Sequence, residues 1–122
     1  MTHTTTLMDT LVDRYIAIWN ETDAKKRQEL IAQTWAEDAE YSDPALAGSG
    51  REGIDTMTAG FQASYPGHRF ERRGEIERVG AVYHFGWALH TPAGEVLITG
   101  EDECVLAGNG LIQSITGTFN QG

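Results

Sequence analysis

The residue in this chain with the most chemistry in it is a carboxylic acid on an apolar strand face. In the stretch from Ile98 to Leu106, Asp102 shares its parity with Ile98, Cys104 and Leu106, while Glu101 and Glu103 take the other. Alternate residues of a strand face opposite sides, so the two glutamates point to solvent and Asp102 points inward. A carboxyl in that position has two fates: it finds an arginine or backbone partner and serves only the fold, or it keeps its proton through a raised pKa. Other chemistries have weaker signatures. His3, His68, His84 and His90 are scattered without metal-ligand spacing, so no metal site is expected, and no cofactor is implied. His68, after Pro66-Gly67, is a candidate for the rim of a pocket, beside the alternative of a hydrogen-bonded structural histidine. No nucleophile elbow surrounds Gly48-Ser49-Gly50, and the glycine-rich stretches lack a phosphate-binding lysine or a dinucleotide fingerprint.

The elements that must position Asp102 follow from periodicity. Met8, Leu11, Val12, Tyr15, Ile16 and Trp19 recur at helical spacing, with Asp9 and Asp13 on the polar side. A second helix is expected after Asp23, a natural N-cap, burying Leu30, Ile31, Thr34 and Trp35. Residues 40–43 read as a short strand stopped by Pro44, and 45–50 as a loop. A third helix, with Ile54, Met57 and Phe61 on one face, runs to about Ser64 and ends at Pro66-Gly67. From there the period changes to two, and strands are expected over 68–79, 81–90, 95–106 and 111–120. Helices followed by an antiparallel meander predict one α+β domain over residues 1–122, with three N-terminal helices packed on a curved, mainly antiparallel sheet.

Register gives the face more precisely. Asn109-Gly110 predicts a two-residue type I′ hairpin, which sets Cys104 opposite Ile115, Asp102 opposite Gly117 and Gly100 opposite Phe119. On the preceding strand Tyr83, Phe85, Trp87 and Leu89 form the larger apolar face. A plain three-residue loop at Pro92-Ala93-Gly94 would put Asp102 on the wrong side of it, so a bulge is expected, with Gly100 as its site.

Composition limits the partners. Nine Lys and Arg against eighteen Asp and Glu give a net charge of −9, a field that repels nucleic acid. The basic cluster Arg69, Arg72, Arg73 and Arg78 alternates with Glu71, Glu75 and Glu77, as on a solvated strand with cross-strand ion pairs. No apolar run is long enough for a membrane helix, the first residues lack signal-peptide character, and cytoplasmic localisation is the expectation. The lone Cys104 cannot form an intrachain disulfide and reads as a buried thiol.

Three stretches together resemble a known group: Tyr15 within Asp13-Arg14-Tyr15-Ile16-Ala17-Ile18-Trp19-Asn20, the segment Ala36-Glu37-Asp38-Ala39-Glu40-Tyr41-Ser42-Asp43-Pro44, and Asp102 before the final hairpin. The chain is similar to the nuclear transport factor 2-like superfamily, in particular its SnoaL-like group, to which ketosteroid isomerase is related. That superfamily holds isomerases, polyketide cyclases, dehydratases, epoxide hydrolases and non-catalytic proteins, so the resemblance bears on fold more than on reaction.

By the isomerase pattern, which is a standard example of an acid held neutral in an apolar site, the resemblance makes Tyr15 and Asp102 donors to an enolate oxygen and Asp43 the general base. In SnoaL-like cyclases the late-strand Asp is the acid or base, a role Asp102 could fill alone. Thr58 stands where the isomerase pattern has a further Tyr, and Gly100 where the epoxide hydrolase pattern has an Arg. The expected cavity is lined by Trp19, Met57, Phe61, Phe85, Trp87, Ile115 and Phe119, with His68 at its mouth. Trp19 and Trp87 narrow it, which favours a small, flat, apolar or aromatic molecule. Trp35 and Tyr41 read as core. The alternatives are a binding module without chemistry, or an interaction domain whose cavity the tryptophans fill. A homodimer through the sheet is the expected assembly.

Overall fold

A computed structural model describes the backbone of residues 2–120 and the side chains of 7–120, which leaves the His3 side chain outside the described residues. Helix α1 (Thr2–Asn20) and helix α2 (Ala24–Thr34) lead directly into strand β1 (Trp35–Ser42); strand β2 (Ala47–Ser49) and helix α3 (Gly50–Ser64) follow. The meander comprises β3 (Arg69–Val79), β4 (Val82–His90), β5 (Val96–Leu106) and β6 (Ile112–Phe119). The sheet is six-stranded in the order β2-β1-β6-β5-β4-β3, with β1 parallel to β6 and the other pairs antiparallel. The α+β class is as the periodicity predicts. Two details depart from it: β1 begins at Trp35, five residues before the expected strand, and 47–49 form a strand rather than loop. Trp35 is buried at the start of β1 rather than on α2.

Helix α1 lays its apolar stripe into the core, with Val12, Tyr15, Ile18 and Trp19 all buried. Asp23 caps α2 by accepting a hydrogen bond from the Lys26 amide at 2.9 Å. On α2, Arg27 is buried, which the pattern did not suggest; its Nε lies 2.6 Å from Asp55 of α3, and its Nη1 reaches the Glu21 carbonyl and Gln62. The Gln62 amide in turn donates to the Trp19 and Glu21 carbonyls, so this cluster fixes the end of α1 against α3. At the sheet edge Asn20 exchanges two hydrogen bonds with the Phe70 backbone, at 2.9 and 2.8 Å. The arginine-rich strand β3 is largely exposed, as expected, with Glu71 paired across to His90 of β4 at 3.1 Å. Arg72 reaches across to Asp9 and Asp13 of α1 at 3.6 and 3.5 Å, pinning helix to sheet.

The registers around Asp102 agree with expectation at the pairs that matter and differ in how they arise. Cys104 faces Ile115, Asp102 faces Gly117 and Gly100 faces Phe119. The turn itself is not type I′, because no described non-glycine residue has positive φ, and Asn109 therefore does not take the conformation that turn requires. Instead Ala107 pairs with Leu111, enclosing a three-residue loop in which Gly110 alone is left-handed at φ 85°. A register shift beside Gln113 then absorbs the extra residue.

A bulge also lies in β5, as the face argument requires, but not at Gly100. The register shifts between Leu89–Ile98 and His90–Val96, which makes Leu97 the extra residue and sets Phe85 opposite Asp102. Gly100 serves another purpose: a Cβ there would overlap the Trp87 indole and the Thr118 carbonyl, so its absence makes the seat for Trp87.

Candidate active site

Asp102 is 2% exposed, and its two oxygens take different partners. The Tyr15 hydroxyl donates to Oδ2 at 2.8 Å, and the Trp87 indole N–H donates to Oδ1 at 3.1 Å. Both donors come from elements remote in sequence, α1 and β4, and no arginine takes part. Burial pushes the Asp102 carboxyl up to about 7; Asp43 adds to the rise, while the Tyr15 and Trp87 hydrogen bonds oppose it. The group is thus poised to hold or release a proton near neutrality. Burial, reinforced by Asp102, raises the Tyr15 phenol well above its ordinary value, so Tyr15 stays protonated and acts as a donor. Burial likewise pushes the neighbouring Cys104 thiol up to about 12, which makes it inert at neutral pH.

Asp43 is built differently. It lies half-buried after the end of β1, and its Oδ1 accepts hydrogen bonds from the Ala45 and Leu46 amides, each at 2.7 Å. Such side-chain-to-backbone closure is what an Asp before Pro offers a turn. Its Oδ2 accepts a hydrogen bond from the Tyr41 hydroxyl at 2.5 Å.

These groups meet in one cavity of about 440 Å³, within the ordinary size of a small-molecule site. Tyr15, Tyr41, Tyr65, Asp43 and Asp102 supply its acidic and hydroxyl groups; the rest of the lining is apolar or aromatic, and among the described residues no Lys, Arg or His lines it. Trp19, Phe61, Trp87 and Phe119 line it as expected, and neither tryptophan fills it. Trp87 is held away by its bond to Asp102, and Trp19 by edge contacts with Tyr41 and Phe61 at 5.4 and 5.6 Å between centroids.

Other expected lining residues lie elsewhere. Met57, Phe85 and Ile115 are buried but do not line the cavity; Phe85 packs beneath the Tyr15 ring at 5.7 Å. His68 is outside the lining, its ring against Tyr65 and its Nδ1 3.2 Å from the Pro66 carbonyl. Thr58 does not join the network either, since its hydroxyl is spent on the Ile54 and Asp55 carbonyls of its own helix.

The site contains residues that the sequence reading placed in the core or passed over. Tyr41 supplies a second phenol, from β1 rather than from α3. The available signal was its spacing, two residues before Asp43 and so on the same strand face. Leu97 reaches the cavity through the β5 bulge and remains 52% exposed, while Tyr65, also exposed, stands at the end of α3; together they form an apolar rim. Among the described residues no cluster of three His, Cys, Asp or Glu could hold a metal, and no helix is long and apolar enough to cross a membrane.

No protein-family model matches the chain, and no curated protein is significantly similar to it. Solved structures are. A candidate isomerase of the SnoaL-like family from Agrobacterium tumefaciens strain C58 is 34% identical, with 92% of this chain and 96% of that chain covered and a TM-score of 0.87. An NTF2-like protein of unknown function from Exiguobacterium sp. 255-15 superposes with a TM-score of 0.73 at 17% identity, over 92% of this chain and 99% of that one. A candidate SnoaL-like polyketide cyclase from Jannaschia sp. CCS1 gives 0.66 at 12% identity, over 90% and 85%. The last two bear on the fold alone. On the identity and coverage of the first, the chain belongs to the SnoaL-like family and has the nuclear transport factor 2-like fold.

Proposed function

We propose that this protein catalyses a cofactor-independent proton transfer next to the carbonyl of a small, largely apolar molecule, as an isomerase or cyclase. The observation that carries this reading is the meeting of a hydrogen-bonded Tyr15–Asp102 pair and a separate carboxylate, Asp43, in one apolar cavity. Asp43 takes the proton from the carbon beside the carbonyl. The electron pair moves onto the carbonyl oxygen, and Tyr15 and Asp102 stabilise the charge that develops there. The proton held by Asp43, in part exchanged with solvent, is delivered to another carbon, or the enolate attacks a second carbonyl carbon of the substrate and closes a ring, and the alkoxide so formed takes the proton from Asp43. Aromatic walls exclude water and favour a flat ligand, and each donor aimed at the oxygen lowers the barrier by roughly 3 kcal/mol. We place this activity in the cytoplasm and in a homodimer formed through the sheet.

The test is solvent-deuterium exchange into a panel of enolisable ketones, followed by NMR. The wild type is expected to exchange the proton beside the carbonyl of at least one ketone, and Asp43→Asn to lose roughly 10²- to 10⁴-fold in rate, the usual contribution of a general base. An unchanged rate in Asp43→Asn would remove Asp43 as the base. A second reading, ligand binding without chemistry, draws on the three hydrogen bonds that already engage Asp43. It predicts quenching of Trp19 and Trp87 fluorescence by ligands that the protein never exchanges.

A further inference from the structure

Resting on that reading, we infer that Tyr41 is a positioning residue: it selects which oxygen of Asp43 meets the substrate and ties that oxygen to the Tyr15–Asp102 pair. An ionised carboxylate oxygen has two acceptor positions. Both positions on Oδ1 are taken by the Ala45 and Leu46 amides. Oδ2 has one position occupied by the Tyr41 hydroxyl and one left over, so the oxygen free to accept a proton is Oδ2, oriented by Tyr41.

Tyr41 can do this because packing and strand pairing hold it in place. It is 5% exposed, its ring rests against Trp19, and its backbone pairs with Ile115 in the parallel β1–β6 ladder. The hydroxyl also faces the other half of the site. A Cβ at Gly117 would lie 2.8 Å from Asp102 Oδ1, 3.1 Å from Asp43 Cβ and 3.4 Å from the Tyr41 hydroxyl. One missing side chain therefore leaves the phenol and both carboxyls in a shared space. Burial raises the Tyr41 phenol most, Asp102 and Asp43 add to the rise, and the Tyr15 hydroxyl opposes it, in keeping with that shared space. The titratable groups facing this space are Tyr15 from α1, Tyr41 and Asp43 from β1 and its turn, and Asp102 from β5. Strand β6 contributes Gly117 and no titratable group, and Tyr65 of α3 stands at the rim.

Tyr41→Phe keeps the ring and removes the donor. On a ketone that the wild type exchanges, kcat is expected to fall roughly tenfold or more with KM nearly unchanged, the loss of one hydrogen bond to a charged group. The acid limb of the kcat–pH profile should also move to higher pH, because the carboxylate has lost a donor. A lower kcat with an unmoved acid limb would overturn the inference, as would an unchanged kcat. A substrate-free measurement separates this from failure of the functional reading: ¹³C-carboxyl NMR titration of Asp43, whose midpoint should rise in Tyr41→Phe. Should that variant not fold, 3-fluorotyrosine placed at 41, a more acidic donor, should shift the midpoint downward. An unmoved midpoint overturns the role of Tyr41 even if no ketone is ever exchanged, and a moved one sustains it.

Discussion

The two carboxyls of the site are held by opposite kinds of structure. Asp43 is fixed locally: the turn that follows it supplies two amides, and the strand before it supplies Tyr41 two residues away. Asp102 has no backbone donor. It depends on a phenol 87 residues away on α1 and an indole 15 residues away on β4, both brought to it by tertiary packing. Local closure gives a carboxylate that accepts hydrogen bonds whatever the rest of the chain does. Long-range closure gives one whose protonation follows the packing of a helix against a sheet. A general base suits the first arrangement, and an acid adjustable near neutrality suits the second.

The sharpest way to break that contrast is at Tyr15. Tyr15→Phe should lower exchange about 10²-fold or more, the effect of removing one oxyanion donor, while Asp43, coupled to Asp102 only through space and through Tyr41, responds less than Asp102 does in ¹³C NMR. A shift at Asp43 of the same size as at Asp102 would show that the two ends are not separately held.

Next comes packing. Gly100→Ala drives a methyl group into the Trp87 seat, and overpacking of this kind costs about 1–3 kcal/mol, read as a lower urea midpoint with unchanged slope. Because Trp87 is the second donor to Asp102, this variant should also shift the Asp102 midpoint upward, leaving the Asp43 turn intact.

The third prediction concerns pH. The folded-state carboxyl of Asp102 is raised from 3.8 to about 7, so the native state holds a proton that the unfolded chain releases. Its contribution to stability is therefore complete below the unfolded value, declines as pH rises from about 4 to 7, and is flat above that. Urea unfolding across this window should show the decline in the wild type and a shallower one in Asp102→Asn. The smallest effect is a control: Asp23→Ala removes the cap of α2 for about 1 kcal/mol and should leave both carboxyl titrations untouched.

The same contrast explains what could be read from the residues. Asp102 was legible because strand parity alone separates it from Glu101 and Glu103; Gly117 falls opposite it although the turn differs from the expected one, because the register shift beside Gln113 offsets the longer loop. Helix α1 and the cap at Asp23 were legible because their signals are local. The bulge position was not. Parity demands an extra residue somewhere between the loop and Asp102 without saying which; it is Leu97, while Gly100 stays in register opposite Trp87 and makes room for its indole. Tyr41 was assigned to the core because strand tyrosines more often pack than touch a ligand, and it does both: its ring packs and its hydroxyl faces the site. Met57, Phe85 and Ile115 were assigned to the cavity because burial and lining look alike in a periodicity pattern; depth beneath the first layer of side chains is a property of the assembled fold.

The two bulges flanking Asp102 carry one more consequence. Loop length and strand register are usually locked together in a hairpin, so that adding a residue turns every following side chain over. Here the extra residues at Leu97 and beside Gln113 absorb that coupling before it reaches Asp102. A residue gained or lost in either connection is compatible with an inward-facing acid when the adjoining bulge changes with it. Leu97 stands at the rim, so the entrance can be rebuilt for a different molecule without disturbing the chemistry at the bottom. For anyone redesigning this pocket, β5 is the strand on which the rim at Leu97 and the buried acid at Asp102 can be altered separately.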